Sequence, residues 1–212
     1  MTKLAILGAS GHGKAVADAA LLSGWSDIAF FDDRISTSTL AGRWKVLGDT
    51  SRLILDLDRF DAVHIGIGDS SVRLAKFDLL SRCGAIFATI IHPSAAVSPF
   101  STIGIGSVIL ANAVVSVDVC VGPATIINNC ASVGHDVILG RGVHVSSGAR
   151  LAGNVAVGNG TWIGIGSSVR QGIRIGADVM VGAGAVVVNH IPDSSIVVGN
   201  PAKPLASKCN RD

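Results

Sequence analysis

Branched aliphatic residues recur at every sixth position through the second half of the chain. The run continues for sixteen successive positions: Val97, Ile103, Ile109, Val115, Val121, Ile127, Val133, Leu139, Val145, Leu151, Val157, Ile163, Val169, Ile175, Val181 and Val187. Because 49% of the residues are hydrophobic, chance would produce such a run with a probability on the order of 10^-5. A period of six fits neither an α-helix nor a simple alternating strand. The pattern therefore predicts a repeating architecture.

Two companion positions share this period. The residue four places after each aliphatic is small or β-branched, from Ser101 to Ile191. The place directly after the aliphatic is often glycine, at Gly104, Gly122, Gly134, Gly140, Gly158, Gly164, Gly176 and Gly182. Inward-stacking aliphatics and small residues that allow tight corners suit a coil of short strands. The second half is therefore predicted to be a parallel β-helix.

The first ninety or so residues lack this repeat and alternate between strand-like and helix-like segments. Aliphatic runs predict strands over residues 3–7, 27–31, 61–67 and 85–91, and helix-prone segments cover residues 15–22 and 71–82. This alternation implies a small parallel sheet of Rossmann type. We predict a Rossmann-like α/β domain over residues 1–92 and a β-helix with a C-terminal tail over residues 93–212.

A glycine-rich loop links the first predicted strand to the first helix. Its residues are Gly8, Ala9, Ser10, Gly11, His12, Gly13 and Lys14. The spacing Gly-x-x-Gly-x-Gly differs from the dinucleotide pattern Gly-x-Gly-x-x-Gly, which argues against NAD. A glycine loop before a helix still favours an anion, because backbone amides point at it. Asp32 and Asp33 end the second strand, where carboxylates usually accept hydrogen bonds from a ribose or base. Loop and acids together predict nucleotide binding.

Charge and composition narrow the class of partner. The net charge is +2 and 15% of the residues are charged, with no polybasic segment. Such a chain offers neither a face for nucleic acid nor a patch for anionic lipid. The stretch from Cys83 to Val117 has no charged residue, but Ser, Pro and Gly interrupt it and its second half follows the repeat. A buried strand followed by the β-helix explains it better than a membrane span. We expect small-molecule partners and self-association.

The cysteines do not indicate a metal site. Cys83, Cys120, Cys130 and Cys209 show no C-x-x-C spacing and have no histidine at ligand spacing. The chain also opens on the predicted strand of residues 3–7, without a signal peptide. We expect free thiols in a cytoplasmic protein and no bound metal.

The repeat resembles that of the hexapeptide-repeat acyltransferases, and the whole chain resembles the PglD/NeuD-like sugar acetyltransferases. The matching segments are residues 8–14, 31–33, 67–69, 92–93, 133–136, 143–145, 153–155 and 198–203, in the family's order. The resemblance implies a Rossmann-like domain followed by a left-handed β-helix of triangular section, with three hexads per coil. It also implies a homotrimer. In members that act on UDP-4-amino sugars, the glycine loop and the two acids bind the nucleotide sugar, which assigns Gly68 to the same site, and acetyl-CoA lies along the β-helix between subunits.

Acetyl transfer to an amine needs a base and donors for the developing oxyanion. Of the six histidines, His135 stands at a predicted corner with its side chain outward, and Asp136 beside it can fix its tautomer or raise its basicity. By the resemblance, the family's catalytic base falls on His135. Asp136 stands where some relatives have Glu, and Gly134 replaces a common acidic residue.

The same resemblance suggests the residues that contact acetyl-CoA. Asn128 and Gly153 approach the thioester, with the Gly153 amide as a candidate oxyanion donor. Gly164 and Gly182 are candidate pantetheine contacts. His144, nine residues after His135, is an acetyl-CoA or auxiliary residue; half a coil separates the two, so one chain is not expected to bring them together.

The remaining histidines receive other roles. His12, in the glycine loop, is expected to contact substrate, and His64 in the third strand is expected to be structural. His92 and His190 receive no catalytic role.

We therefore predict a cytoplasmic, trimeric, acetyl-CoA-dependent N-acetyltransferase that acts on a nucleotide-activated amino sugar. The amine would attack the thioester directly, because no cysteine occupies a motif position. Two alternatives remain open. One is O-acetylation of sialic acid or another sugar hydroxyl, and the other is a nucleotide-sugar-binding scaffold without activity.

Overall fold

The computed structural model describes residues 2–35 and 40–205. Its N-terminal part contains β1 (Lys3–Leu7), α1 (Gly11–Leu22), β2 (Asp27–Phe31), β3 (Leu40–Ala41), β4 (Trp44–Gly48), α2 (Thr50–Leu55), a 3-10 turn (Leu57–Arg59), β5 (Ala62–Ile65) and α3 (Ser70–Arg82). The strand order is β3-β4-β2-β1-β5, and all neighbours are parallel except the β3–β4 pair. The predicted Rossmann-like sheet is therefore present. The short strands β3 and β4 were not predicted.

The core of this sheet follows from its sequence. β1 and β5 are almost completely buried along their length, as continuous aliphatic runs in a parallel sheet covered by helices should be. Carboxylates cap two of the helices: Asp49 accepts a hydrogen bond from the backbone of α2, and Asp69 accepts one from the backbone of α3. α1 begins at Gly11, inside the glycine loop, so the loop is shorter than the sequence suggests.

From residue 90 to residue 204 the chain forms short strands, most of them at intervals of six residues. They are β6 (Ile90–Ile91), β7 (Ala96–Val97), β8 (Thr102–Ile103), β9 (Val108–Ile109), β10 (Val114–Val115), β11 (Cys120–Val121), β12 (Ile126–Ile127), β13 (Ser132–Val133), β14 (Ile138–Leu139), β15 (His144–Val145), β16 (Arg150–Leu151), β17 (Ala156–Val157), β18 (Trp162–Ile163), β19 (Ser168–Val169), β20 (Arg174–Ile175), β21 (Met180–Val181), β22 (Val186–Val187), β23 (Ile196–Val198) and β24 (Lys203–Pro204). From β7 to β22 every strand ends on an aliphatic of the repeat, which confirms the predicted register.

Each strand from β7 to β19 pairs in parallel with the strand eighteen residues further on, as Val97 does with Val115. The result is a prism with three faces. Face 1 carries β7, β10, β13, β16, β19 and β22; face 2 carries β8, β11, β14, β17 and β20; face 3 carries β6, β9, β12, β15, β18, β21, β23 and β24. The N-terminal domain packs on face 3, where Val108, Leu110 and Ile126 join its core.

Two residues of each hexad, not one, fill the prism. The aliphatics from Ile109 to Val187 are buried, and so are most of the small residues four places later, such as Ala131, Ala149 and Ala185, at 0% exposure each. The prediction used these small residues only to allow corners. The corners depend instead on the residue three places after the aliphatic. There the backbone has a positive φ once per hexad, from Gly106 through Asp136 to Gly184. Gly, Asn and Asp occupy most of these places because they tolerate that conformation.

The predicted strand over residues 85–91 is divided between the two domains. Phe87 forms a single bridge with Val63 of β5, whereas Ile90 and Ile91 pair with β9 of the β-helix. The apolar run reflects burial in both cores, and an apolar run does not specify its pairing partner. Pairing in the β-helix therefore begins shortly before the predicted boundary at residue 93. Among the residues described, no helix is both long and apolar enough to span a lipid bilayer.

Candidate active site

The glycine loop is closed by contacts within the N-terminal domain. Gly8 has a φ of +109°, which other residues rarely adopt, and the next amide, of Ala9, donates to Asp32 Oδ2 at 2.7 Å. A side chain at Gly13 would collide with the Gly8 carbonyl. Gly13 therefore allows α1 to approach β1, whereas Gly11 is exposed and has open space around it.

Both predicted carboxylates accept hydrogen bonds from the protein itself. Asp32 Oδ1 accepts from the amides of Arg34 and Ile35, at 2.8 and 3.2 Å. Asp33 accepts from the amide and hydroxyl of Thr50 and forms an ion pair with Lys76 at 2.6 Å. Partial burial would raise the pKa of Asp33, but the bonds from Lys76 and Thr50 outweigh it and lower that pKa. Both acids thus shape the loops around the predicted nucleotide site.

A cavity of about 410 Å³ lies between the glycine loop, the end of β2 and α3. Its walls are formed by Leu7, Gly8, Ser10, Asp32, Asp33, Arg34, Ile35, Ile67, Asp69, Val72 and Lys76. Gly8, Ser10, Asp32 and Asp33 were predicted, but Asp69, which caps α3, and the α3 residues Val72 and Lys76 were missed. Asp69, Val72 and Lys76 lie three and then four residues apart, the spacing of one helix face. That spacing in the predicted helix was the available signal.

Other predicted members of the loop lie outside these walls. The side-chain stem of Lys14 passes over Gly42, in the turn between β3 and β4, because the ideal Cβ of Gly42 lies 3.5 Å from Lys14 Cδ. His12 Nε2 is buried and has no hydrogen-bond partner among the residues described. The His12 ring lies 6.1 Å from the His144 ring, centroid to centroid. His12 therefore faces the domain contact.

His144 connects the two domains. Its Nδ1 lies 3.2 Å from the Gly68 carbonyl and its Nε2 lies 3.3 Å from Asn128 Nδ2. A carbonyl only accepts, so Nδ1 carries the proton and Nε2 accepts from the Asn128 amide. The ring also packs against Trp162 at a centroid distance of 4.3 Å. Gly68, Asn128 and His144, three of the predicted residues, are thus brought together.

Burial keeps three histidines of this region neutral. Loss of solvent, followed by the charge of Arg73, lowers the pKa of His144 to about 4. Burial and then the neighbouring His144 lower the pKa of His12 to about 3. His64 Nδ1 donates to the Ala88 carbonyl at 3.0 Å, and burial lowers the pKa of His64 to about 4. His64 is buried in β5, as expected for a structural residue.

His135 occupies a different corner, between faces 1 and 2. Its Nδ1 lies 2.6 Å from Asp136 Oδ2, and 63% of its side chain is exposed. Asp136 is one of the corner residues with positive φ, at 59°. Since a carboxylate accepts from Nδ1–H, the lone pair of His135 lies on Nε2. Gly153, one coil further on, lies against the ring, and any Cβ there would collide with His135 Cε1 and Nε2. His135, Asp136 and Gly153 form a second group.

The structure thus divides the predicted catalytic and acetyl-CoA residues between two corners. Asn128 and His144 lie at face 3 beside the N-terminal domain, and the group around His135 lies at the far corner. Gly164 and Gly182 follow Asn128 along its corner, two and three coils later. A side chain at Gly164 would strike the backbone of Gly182, and one at Gly182 would strike Val198. Coil stacking requires glycine at Gly164, whereas at Gly182 the Val198 side chain would have to move. The contact of both glycines with pantetheine stays a prediction.

In residues 2–35 and 40–205, no three His, Cys, Asp or Glu side chains gather as metal ligands. Cys83, Cys120 and Cys130 are exposed and free, and Cys209 lies outside the described residues.

Known proteins resemble this chain in both domains. A profile of the PglD N-terminal domain matches residues 3–80. UDP-N-acetylbacillosamine N-acetyltransferase of Bacillus subtilis is 37% identical over 119 residues, a match that spans 52% of each chain. The acetyltransferase domain of PglB from Neisseria gonorrhoeae, in complex with acetyl coenzyme A, is 40% identical, with a TM-score of 0.89 over 96% of this chain and 98% of that one. The chain belongs to the PglD-like sugar acetyltransferases.

A third relative extends the comparison within this family. PerB from Caulobacter crescentus, in complex with CoA and GDP-perosamine, is 34% identical, with a TM-score of 0.92 over 97% of this chain and 98% of that one. Family membership confirms the predicted resemblance. It also confirms the predicted fold class, a Rossmann-like α/β domain followed by a left-handed parallel β-helix.

Proposed function

We propose that this chain is an acetyl-CoA-dependent N-acetyltransferase that acts on the amino group of a nucleotide-activated sugar. The observation that carries the proposal is the His135–Asp136 pair, bonded at 2.6 Å and exposed at a corner of a PglD-like β-helix. The substrate class, a nucleotide-linked amino sugar, is supported by two relatives: UDP-N-acetylbacillosamine N-acetyltransferase, and PerB in complex with GDP-perosamine. The PglB domain in complex with acetyl coenzyme A supports acetyl-CoA as the acetyl donor.

The chemistry follows from the free lone pair of His135. Nε2 takes a proton from the acceptor amine, while Asp136 stabilises the resulting imidazolium through Nδ1. The neutral amine nitrogen then bonds to the thioester carbonyl carbon and the carbon–sulfur bond breaks. The second proton lost from the nitrogen passes to the departing sulfur, so that CoA leaves as its thiol. The amide N–H of Gly153 donates to no protein group among the described residues, and it is a candidate donor to the carbonyl oxygen.

The nucleotide sugar would bind in the cavity of the N-terminal domain. The first turn of α1 carries no acidic residue and its free amides suit a phosphate. The Ser10 side chain makes no capping bond and lines the cavity. His12 Nε2, buried without a partner in the described chain, suits a polar group of the substrate, because an unpaired buried nitrogen is costly.

A homotrimer would unite the two parts of the site. Within one chain, His135 lies at the corner between faces 1 and 2, whereas the cavity belongs to the domain on face 3. Val117, one coil before His135, and Ile138, three residues after it, are apolar residues with 40% and 57% exposure. Such residues beside a base suit the surface of a neighbouring subunit. We place the enzyme in the cytoplasm, where exposed free thiols such as Cys120 persist.

The proposed reaction is tested with a panel of acceptor sugars. The protein is incubated with acetyl-CoA and with UDP-, GDP- and dTDP-linked 4-amino sugars or their hydroxyl counterparts, and released thiol is measured. We expect thiol release with an amino sugar, and a loss of kcat of about 10^2- to 10^4-fold in His135→Ala. The deficit should narrow towards high pH, where the amine loses its proton unaided. Release with hydroxyl acceptors alone would favour O-acetylation, and none with any acceptor would favour a scaffold.

Mixed oligomers test the shared site. His135→Ala subunits are co-expressed with Asp32→Ala/Asp33→Ala subunits, and each variant is also assayed alone. In a trimer whose sites join adjacent subunits, random mixing leaves about a quarter of the sites intact. We expect that recovery, together with a light-scattering mass near three times 21.5 kDa. Mixtures no more active than the separate variants would contradict a shared site.

A further inference from the structure

Arg73 of α3 is almost completely buried, with 1% of its surface exposed, and lies where the two domains meet. Its guanidinium donates to oxygen atoms of both domains. Nε bonds to the Ala124 carbonyl at 2.8 Å and Nη2 to the Gly142 carbonyl at 2.7 Å, both at one corner of the β-helix. Nη1 bonds to the Ile67 and Gly68 carbonyls, at 2.9 and 2.7 Å. Each guanidinium nitrogen therefore has an acceptor.

No carboxylate forms an ion pair with this cation among the residues described. Burial lowers the pKa of Arg73 to about 10, so the charge persists at neutral pH. A buried charge with no carboxylate in direct contact is costly, and apolar side chains would hold the two domains together at a lower cost in free energy. What an apolar side chain could not do is hold four carbonyls at fixed positions.

One of these carbonyls belongs to the predicted site. Gly68 O accepts from Arg73 at 2.7 Å and also from His144 Nδ1 at 3.2 Å. That bond sets the tautomer of His144 and leaves Nε2 to accept from Asn128. The Asn128 oxygen in turn accepts from the Asn129 amide at 2.8 Å, which fixes the side-chain amide's orientation. A continuous series of hydrogen bonds thus leads from Arg73 to Asn128.

We propose that Arg73 is a positioning residue for acetyl transfer: it fixes the Gly68 carbonyl, which orients His144 and, through it, Asn128. This inference rests on the proposed function, because Asn128 and His144 are assigned to the acetyl-CoA side of the site. Arg73 itself touches no substrate. Its influence reaches the reaction only through His144.

A double-mutant cycle tests that dependence. Arg73→Lys keeps the charge but cannot reach both pairs of carbonyls, and we expect kcat to fall roughly tenfold in an otherwise wild-type protein, as small misplacements of site groups do. In a His144→Gln background the same change should cost less than about twofold. Equal losses in both backgrounds, or an unchanged kcat with only a lower Tm, would overturn the proposal.

Arg141→Lys is the matched control. Arg141 also joins the domains, through an ion pair with Asp78, but contacts neither Gly68 nor His144. We expect Arg141→Lys to leave kcat within about twofold of the wild-type value. Its Tm should fall only slightly, because a partly exposed ion pair contributes little to stability. A loss of kcat as large as that of Arg73→Lys would mean that domain docking, not His144, matters.

A second readout does not depend on enzymatic activity, and its first part uses only the wild-type protein. Nitrogen NMR of histidine-labelled wild-type protein should report His144 as the neutral Nδ1–H tautomer. Folded Arg73→Lys should show a mixture of tautomers. An Nε2–H tautomer in the wild type would overturn the proposal outright. Failure of every acceptor panel would instead count against the proposed function, since the tautomer measurement would still stand.

Discussion

At the scale of single residues, the clearest requirement concerns Gly153. Its missing side chain leaves the space that the His135 ring occupies. We expect Gly153→Ala to displace the ring and lower kcat by roughly tenfold to a hundredfold, while Tm changes little because the ring is exposed. Gly172→Ala is the control, since a Cβ there meets open space although its φ of +70° adds strain. Comparable losses of kcat in both variants would show that corner strain, not the ring, is responsible.

Asp32 gives a second prediction at this scale. Its carboxylate holds the glycine loop through Ala9 and the following turn through Arg34 and Ile35. We expect Asp32→Ala to raise the KM for the nucleotide sugar about tenfold to a hundredfold and to leave the KM for acetyl-CoA nearly unchanged. Asp61→Ala is the matched control, because Asp61 accepts from the Lys3 amide at the same 2.7 Å but at the opposite end of β1. A rise in the KM for acetyl-CoA would contradict the division between domains.

At the scale of elements, the β-helix depends on which residue of each strand points inward. In β20, Ile175 is 3% exposed, whereas the preceding Arg174 faces solvent. We expect Ile175→Asp to cost several kcal/mol, out of a typical total of about 5–15, and to unfold the β-helix, whereas Arg174→Asp should be mild. Circular dichroism and urea unfolding compare the two. Equal damage at adjacent positions would refute the hexad register.

At the scale of the whole molecule, the domain contact links stability to pH. His12, His64 and His144 have pKa values lowered to about 3, 4 and 4, whereas an unfolded histidine titrates at 6.5. Between those values the unfolded chain binds protons that the folded chain excludes. Stability is therefore complete above pH 6.5 and is lost as the pH falls, by about 1.4 kcal/mol per pH unit for each histidine.

Thermal unfolding from pH 7.5 to about 4 measures this loss. We expect Tm to fall across that range, and the fall to be shallower in His64→Leu, which removes one of the three groups. The lowered pKa values of Asp33, Asp56 and Asp69 affect stability only at the acidic end of this range and below it, since an unfolded aspartate titrates near 3.8. A Tm that is constant between pH 6.5 and 4 would contradict the inference that these three histidines are buried and neutral in the folded protein.

The sequence by itself determined what local periodicity specifies. The sixteen aliphatics define one face of each short strand, since stacking in a β-helix repeats the same contact in every coil. The strands of residues 3–7 and 27–31, the helix beginning near residue 71 and the neighbouring His135 and Asp136 follow from adjacent residues in the same way. Each of these features needs information from only a few consecutive positions.

Only the tertiary structure decided the contacts between distant segments. Gly68 and His144 are 76 residues apart, and Arg73 and Gly142 are 69 apart, so no local pattern could pair them. The apolar run over residues 85–91 signalled burial, but its division between two cores depended on which surfaces met. Asp32 and Asp33 were recognisable as acids beside a loop, whereas their bonds to Ala9 and Lys76 form only because the fold places the end of β2 beside the glycine loop and within reach of α3. Hydrophobic burial has a periodic signature in the chain, whereas a polar side chain finds its partners only once the fold brings them within hydrogen-bond distance.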